Sequence, residues 1–261
     1  MNFHIYSKSD APKIILIHGV LTPWQMWEEQ IKFLRQKYHL TVVALDAHEE
    51  DKASEFMSIE HEAQQIEKYC LDNYGGEVFA VCGVSMGGAI ASIMWRNGIV
   101  KIHNLVMDSA PIMPMGKLAA KIMTNNYISI IRKSKKRHKK TLKNFSRYFL
   151  PEKHLDSFLK IADNMTEGSI RNMISSVCKN ELCIGIPHGE TKILYLHGTK
   201  GTEWFQMRCG AYLKNNYPET RVICFRKTGH CEAAIYKPQK WLEVVDAFLK
   251  SGKSNTEQTN E

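Results

Sequence analysis

A serine stands between two glycines at Gly83-Val-Ser85-Met-Gly87, where the apolar run Glu77-Val-Phe-Ala-Val-Cys82 gives way to the helix-like segment Ala89-Ile-Ala-Ser-Ile-Met-Trp95. Glycines at this spacing let the chain turn sharply from strand to helix, because neither carries a Cβ to collide with neighbouring backbone. The serine hydroxyl is then pushed out of the sheet. The unpaired N–H groups at the helix N-terminus can receive a developing negative charge. A nucleophile and an oxyanion donor at one turn is the chemistry of acyl transfer. The plainer reading is a glycine-rich turn that packs a helix on a strand, and the flanking strand and helix patterns favour catalysis over it.

A serine nucleophile needs a base. Eleven histidines are present, and most histidines merely pack or face solvent. Thr228-Gly-His230 differs in following the last strand pattern, where a loop can reach across the sheet edge to the serine. His230 is therefore the candidate base, and the order serine then histidine fits.

The elements that must position these residues alternate. A short strand opens the chain over 1–7, and Lys13-Ile-Ile-Leu-Ile-His-Gly19 reads as a central parallel strand. Pro23 starts a helix with Trp24, Trp27, Ile31 and Leu34 on one face; a strand over 40–45 follows, then a helix marked by Ile59, Ala63, Ile66 and Cys70. After the serine turn, a strand over 104–107 leads to Asp108 and Pro111. From there to about Pro187 only helical phases occur: Leu142, Phe145, Tyr148 and Phe149; Leu155, Phe158, Leu159 and Ala162; Ile170, Met173, Ile174 and Val177. Alternation resumes with a strand over 192–196, a helix over 204–215, a strand over 221–225 and an amphipathic helix from Pro238 with Trp241, Val244, Val245, Phe248 and Leu249 inward. The pattern predicts an α/β core from 1–110 and 188–250, with a mostly parallel sheet between helices, a helical insertion over 111–187 and a disordered polar tail over 251–261.

With these landmarks in place, the chain resembles the α/β-hydrolase superfamily from His18 to Leu249. His18-Gly19-Val20 looks like the family's oxyanion loop, Gly83-Val-Ser-Met-Gly87 its nucleophile elbow, Gly229-His230 its histidine loop, and the helical insertion its cap. The resemblance implies that Ser85 attacks an acyl carbonyl, that His230 takes and returns the proton, and that the N–H groups of Val20 and Met86 hold the oxyanion. His18 is structural on this reading. The triad acid departs from the family pattern, since Gly198-Thr-Lys-Gly201 puts glycine where a carboxylate is usual. Glu203, two residues on, is the first candidate. Asp108 is the alternative, at a strand end that some members use, and a site without a working acid is the third possibility.

Composition narrows the class. With 44% hydrophobic and 24% charged residues the chain is an ordinary globular one. The net charge of +8 belongs to one segment: between Ser109 and Pro151 there are eleven Lys/Arg and no Asp or Glu, while the remainder holds 24 basic and 27 acidic residues. The run Arg132-Lys-Ser-Lys-Lys-Arg-His-Lys-Lys140 is either a solvated face or a collar that draws an anionic substrate or membrane surface. It lacks the aromatics and companion motifs of nucleic-acid binding. Seven scattered cysteines suit reduced thiols rather than a disulfide framework. No metal spacing or phosphate loop is present, so no metal or cofactor is expected. With neither a signal peptide nor a membrane span in the sequence, a cytoplasmic location is expected. The expected activity is a serine hydrolase acting on a small ester or thioester through an acyl-enzyme; an acyltransferase with the same residues and a non-catalytic binding protein of this fold are the alternatives.

Overall fold

Four consecutive residues, Ile14, Ile15, Leu16 and Ile17, are fully buried. Successive strand residues point to opposite faces, so this sheet must be covered on both sides. The computed structural model describes residues 1–6, 10–182 and 190–251. Its seven-stranded sheet has the order β1-β3-β2-β4-β5-β6-β7. Strands β2 (Lys13–Ile17), β3 (His39–Ala44), β4 (Glu77–Val84), β5 (Lys101–Asp108), β6 (Lys192–His197) and β7 (Arg221–Cys224) run parallel. The edge strand β1 (Asn2–Tyr6) pairs antiparallel with β3.

Helices connect the strands. A 3₁₀ turn, Trp24–Trp27, leads into α1 (Glu28–Leu34), which packs with the C-terminal α10 (Pro238–Ser251). Trp27 and Trp241 meet there, with ring centroids 5.4 Å apart. α2 (Ile59–Tyr74) packs with α3 (Met86–Asn97), which follows Ser85. Both helices stop at a left-handed glycine, Gly75 (φ 65°) and Gly98 (φ 64°), the conformation glycine adopts without a Cβ penalty.

Between β5 and β6 lie four helices: α4 (Lys117–Lys135), α5 (Lys139–Tyr148), α6 (Leu155–Asn164) and α7 (Glu167–Lys179). The apolar spacing predicts the last three and misses α4, the longest. Only Ile128, Ile131 and Ser134 of α4 are buried, so it carries a seam rather than a broad apolar stripe, and its basic end reads as a charge run. The apolar face of Leu142, Phe145, Tyr148 and Phe149 is only partly buried in α5. Tyr148 and Phe149 are 61% and 39% exposed, and the helix is anchored by Phe145, stacked on Phe158 at 3.9 Å. Two further helices complete the core, α8 (Glu203–Asn216) and the short α9 (Glu232–Tyr236), the second too brief to show periodicity. The expected boundary at 187/188 and residues 252–261 of the expected tail lie outside the described residues, whereas Ser251 still belongs to α10. No helix of the described residues is long and apolar enough to cross a membrane.

Register places the site. Val84, Asp108 and Leu196 are successive partners across β4, β5 and β6, so the loops leaving these strands emerge side by side at the carboxyl edge of the sheet.

Candidate active site

Ser85 occupies a backbone conformation, φ 51° and ψ −117°, that an L-residue adopts only under constraint. The glycines on either side create the constraint through close approach. A Cβ on Gly83 would lie 2.2 Å from the Gly87 carbonyl oxygen, and one on Gly87 would lie 2.3 Å from that of Ile17. A third glycine is needed as well, since a Cβ on Gly88 would meet that of Ala110 at 2.6 Å. The turn is tied down by the Ser85 N–H, which donates to the Asp108 carbonyl at 2.8 Å.

His230 and Glu203 complete a line from this serine. His230 Nε2 is 2.9 Å from Ser85 Oγ, and His230 Nδ1 is 2.8 Å from Glu203 Oε1. Glu203 is fully buried, while the His230 side chain is 39% exposed. This glutamate arrives from the first residue of α8 and not from the strand end. Gly201, at φ 64°, turns the chain into the helix, and the longer glutamate side chain spans the gap. Gly198 lets the two loops meet: a Cβ there would lie 2.4 Å from the Thr228 carbonyl oxygen, which accepts the N–H groups of Thr199 and Lys200 at 2.9 Å each.

The charges follow from these contacts. Burial opposes the Glu203 carboxylate, but the His230 and Gly198 N–H groups and the Ser109 hydroxyl outweigh it and hold the carboxyl below its ordinary range. For His230, burial opposes the imidazolium, while Cys231 and the Glu203 carboxylate favour it, and the net effect raises the imidazole well above the usual histidine value. Asp108 is buried at the end of β5 without a hydrogen bond to His230. Its Oδ1 lies 3.1 Å from Ser109 Oγ, and burial pushes the carboxyl up to about 7.

On the other side of Ser85 lies the loop from Gly19 to Thr22. A Cβ on Gly19 would touch the Ser85 Cβ at 3.3 Å, so this loop lies directly against the serine. Its N–H groups are assigned one by one: Gly19 donates to Thr22 Oγ1 at 3.1 Å, Leu21 to His48 Nε2 at 3.0 Å, and Thr22 to the Gly19 carbonyl at 3.4 Å. The Val20 N–H has no acceptor among the described residues. Met86 is the first residue of α3, where an N–H has no intrahelical partner.

Sequence reasoning missed three contributors. His48 pins Leu21, Ser109 bridges Asp108 and Glu203, and Tyr127 of α4 is close enough to His230 to feel its charge. None belongs to a motif. Among the described residues, no group of three or more His, Cys, Asp or Glu side chains is arranged to hold a metal ion.

No family model and no curated protein matches the chain by sequence. Solved structures match it by fold. An α/β-hydrolase family protein from Desulfitobacterium hafniense superposes with a TM-score of 0.74 at 20% identity, over 95% of this chain and 100% of that one. A carboxylesterase from the thaumarchaeon Nitrososphaera gargenis gives 0.75 at 13% identity, over 98% and 96%. The esterase of Exiguobacterium antarcticum gives 0.71 at 18%, over 95% of each chain. At such identities the likeness concerns architecture: the chain has the α/β-hydrolase fold.

Proposed function

We propose that this α/β-hydrolase-fold chain is a serine hydrolase that cleaves a small ester or thioester. The observation that carries the reading is the continuous line Glu203–His230–Ser85, with contacts of 2.8 and 2.9 Å, ending on a serine held at positive φ. His230 accepts the Ser85 proton as Oγ attacks the acyl carbonyl. The tetrahedral oxyanion rests on the N–H groups of Val20 and Met86. His230 then returns the proton to the leaving alcohol or thiol, and water, activated by the same imidazole, releases the acid and regenerates Ser85. Glu203 keeps the Nδ1–H tautomer and stabilises the imidazolium, and the four helices between β5 and β6 serve as the cap. No step calls for a metal or cofactor. The test is labelling with a fluorophosphonate probe, together with turnover of p-nitrophenyl esters of increasing chain length. Wild type should label and turn over, and Ser85→Ala should do neither at unchanged melting temperature; full labelling of that variant would remove Ser85 from the mechanism.

The same reading assigns the basic helices a part in substrate capture. All eleven Lys/Arg from Lys117 to Arg147 are exposed, and among the described residues only Arg132 and Arg137 have a carboxylate partner, Glu167 and Asp163. This ridge attracts an anionic ester toward the site. The kcat/KM for an acidic ester should therefore fall with ionic strength, as screening shortens the field to about 10 Å at 0.1 M salt, while a neutral ester of equal size is unaffected. Equal responses would leave the ridge as a solvated face.

A further inference from the structure

Ser109 has one hydroxyl hydrogen, and two carboxyl groups compete for it. Its Oγ lies 3.1 Å from Asp108 Oδ1 and 3.1 Å from Glu203 Oε2, and all three residues are buried. A hydroxyl donates to one oxygen at a time. With both carboxyls ionised, one of these contacts would set a hydroxyl lone pair against a charged oxygen, with no hydrogen between them and no water to screen it.

The missing hydrogen belongs on one of the two acids, and their surroundings decide which. Glu203 already accepts the His230 Nδ1–H on Oε1 and the Gly198 N–H, at 2.6 Å, on Oε2. Both contacts favour its charge. Among the described residues Asp108 makes one side-chain hydrogen bond, to Ser109; the Trp241 indole N–H lies near enough to favour its charge, but no donor reaches hydrogen-bond distance of its Oδ2.

We propose that Asp108 carries a proton on Oδ1 and donates it to Ser109 Oγ, which turns its own hydrogen onto Glu203 Oε2, so that Asp108 and Ser109 are positioning residues for the triad carboxylate. The assignment rests on the reading of Glu203 as the acid. Both contacts of Ser109 Oγ then hold a hydrogen, and this cluster carries one buried negative charge where there would otherwise be two. Ser109 is suited to the bridge because its backbone, at φ 52°, turns out of β5 as its N–H donates to the Leu196 carbonyl of β6 at 2.8 Å.

The groups around Asp108 agree with this arrangement. Burial is the largest influence and opposes its charge, and Glu203 opposes it too, while Ser109, His230 and the Trp241 indole of α10 favour it; together they leave the carboxyl at about 7. The Cys231 thiol meets the Asp108 backbone carbonyl at 3.7 Å, and burial pushes that thiol up, away from the thiolate. Tyr195 of β6 is likewise pushed well up by burial, with Asp108 among the lesser causes. Over the acidic half of the neutral range Asp108 is therefore a donor. As pH rises through about 7 it ionises, and the added negative charge favours the His230 imidazolium and delays its return to the neutral base.

Infrared difference spectroscopy of wild type against Asp108→Asn tests the proton without any turnover, so its result stands even if the esterase reading fails. One protonated-carboxyl stretch should be missing from the variant below neutral pH, and the wild-type band should fade as pH rises through about 7. The buried Glu62, raised to about 8, is common to both proteins and cancels. In kinetics, Asp108→Ala and Ser109→Ala should each lower kcat on the order of tenfold, the scale of one unsatisfied buried group. Asp108→Asn should recover most of what Asp108→Ala loses, because its amide N–H can donate to Ser109 and cannot ionise. Its acid limb of kcat/KM should also lie at lower pH than that of wild type. A difference spectrum with no carboxyl band lost overturns the proposal, and so does an Asp108→Asn variant as impaired as Asp108→Ala.

Discussion

Two loops meet at Ser85, one served by His230 and the other by His18 and His48, and their histidines are shifted in opposite directions from the ordinary histidine pKa. His18 and His48 are fully buried, with ring centroids 4.7 Å apart. Each gives its Nδ1–H to a backbone carbonyl, Gly19 at 2.9 Å or Asp46 at 3.0 Å, and each accepts a backbone N–H at Nε2, from Leu45 at 3.1 Å or Leu21 at 3.0 Å. His230 uses the same two atoms in the same way, with Nδ1 toward Glu203 and Nε2 toward Ser85. What differs is the acceptor at Nδ1 and the access of water. Burial, against the opposing pull of their carbonyl acceptors, lowers His18 well below the ordinary histidine value and His48 to about 4, whereas Glu203 helps raise the half-exposed His230. The three rings share a tautomer, and it is the carboxylate behind His230 that sets its charge apart.

The most direct way to break this contrast is to take the charge from behind His230. Glu203→Gln leaves an amide oxygen able to accept the Nδ1–H, which makes His230 resemble the two structural histidines. By analogy with triads generally, kcat should fall by roughly 10⁴-fold. Because the pKa of His230 is raised and its neutral form is the base in the proposed mechanism, wild-type kcat/KM should climb with pH through a value above that of free histidine. In the variant that limb should move to lower pH. Steady-state profiles on one ester, with melting temperatures compared, check both parts; an unshifted limb would mean that Glu203 does not govern His230.

Local chemistry decided how much of this was legible in the sequence. The motif around Ser85 was readable because three backbone segments approach within the space of a Cβ, and only glycine tolerates that. The parallel strands were readable because full burial on both faces demands unbroken aliphatic runs. Glu203 could be named only as a candidate, since its role depends on a left-handed turn at Gly201 and the reach of a side chain from a helix start. α4 was hidden because its contacts are with other helices of the insertion along a narrow seam. Ser109 and His48 carried no signal, because a serine after an aspartate and one histidine among eleven acquire a role only through neighbours distant in the chain, Glu203 and Leu21.

A smaller effect would sharpen the other half of the contrast, through linkage at His48. Folded, His48 titrates at about 4, against 6.5 for the free side chain. Between those values the unfolded chain binds a proton that the folded chain does not, so this group makes stability rise with pH across that window. Its full span is on the order of 3 kcal/mol. The wild-type curve alone will not reveal it. Glu62, raised to about 8, and Asp108, raised to about 7, keep their protons when folded and lose them when unfolded, so they make stability fall as pH rises over an overlapping range. The difference between wild type and His48→Gln isolates the histidine, because glutamine can accept the Leu21 N–H and does not titrate. Urea unfolding at several pH values should show the variant gaining on wild type by about 3 kcal/mol as pH drops from about 6.5 to about 4. Near neutrality, kcat should fall by less than about tenfold, since the loop bearing Val20 keeps its anchor at Leu21. A stability difference independent of pH would mean that His48 takes up its proton in the folded protein, and the division between the two kinds of histidine would then rest on Glu203 alone.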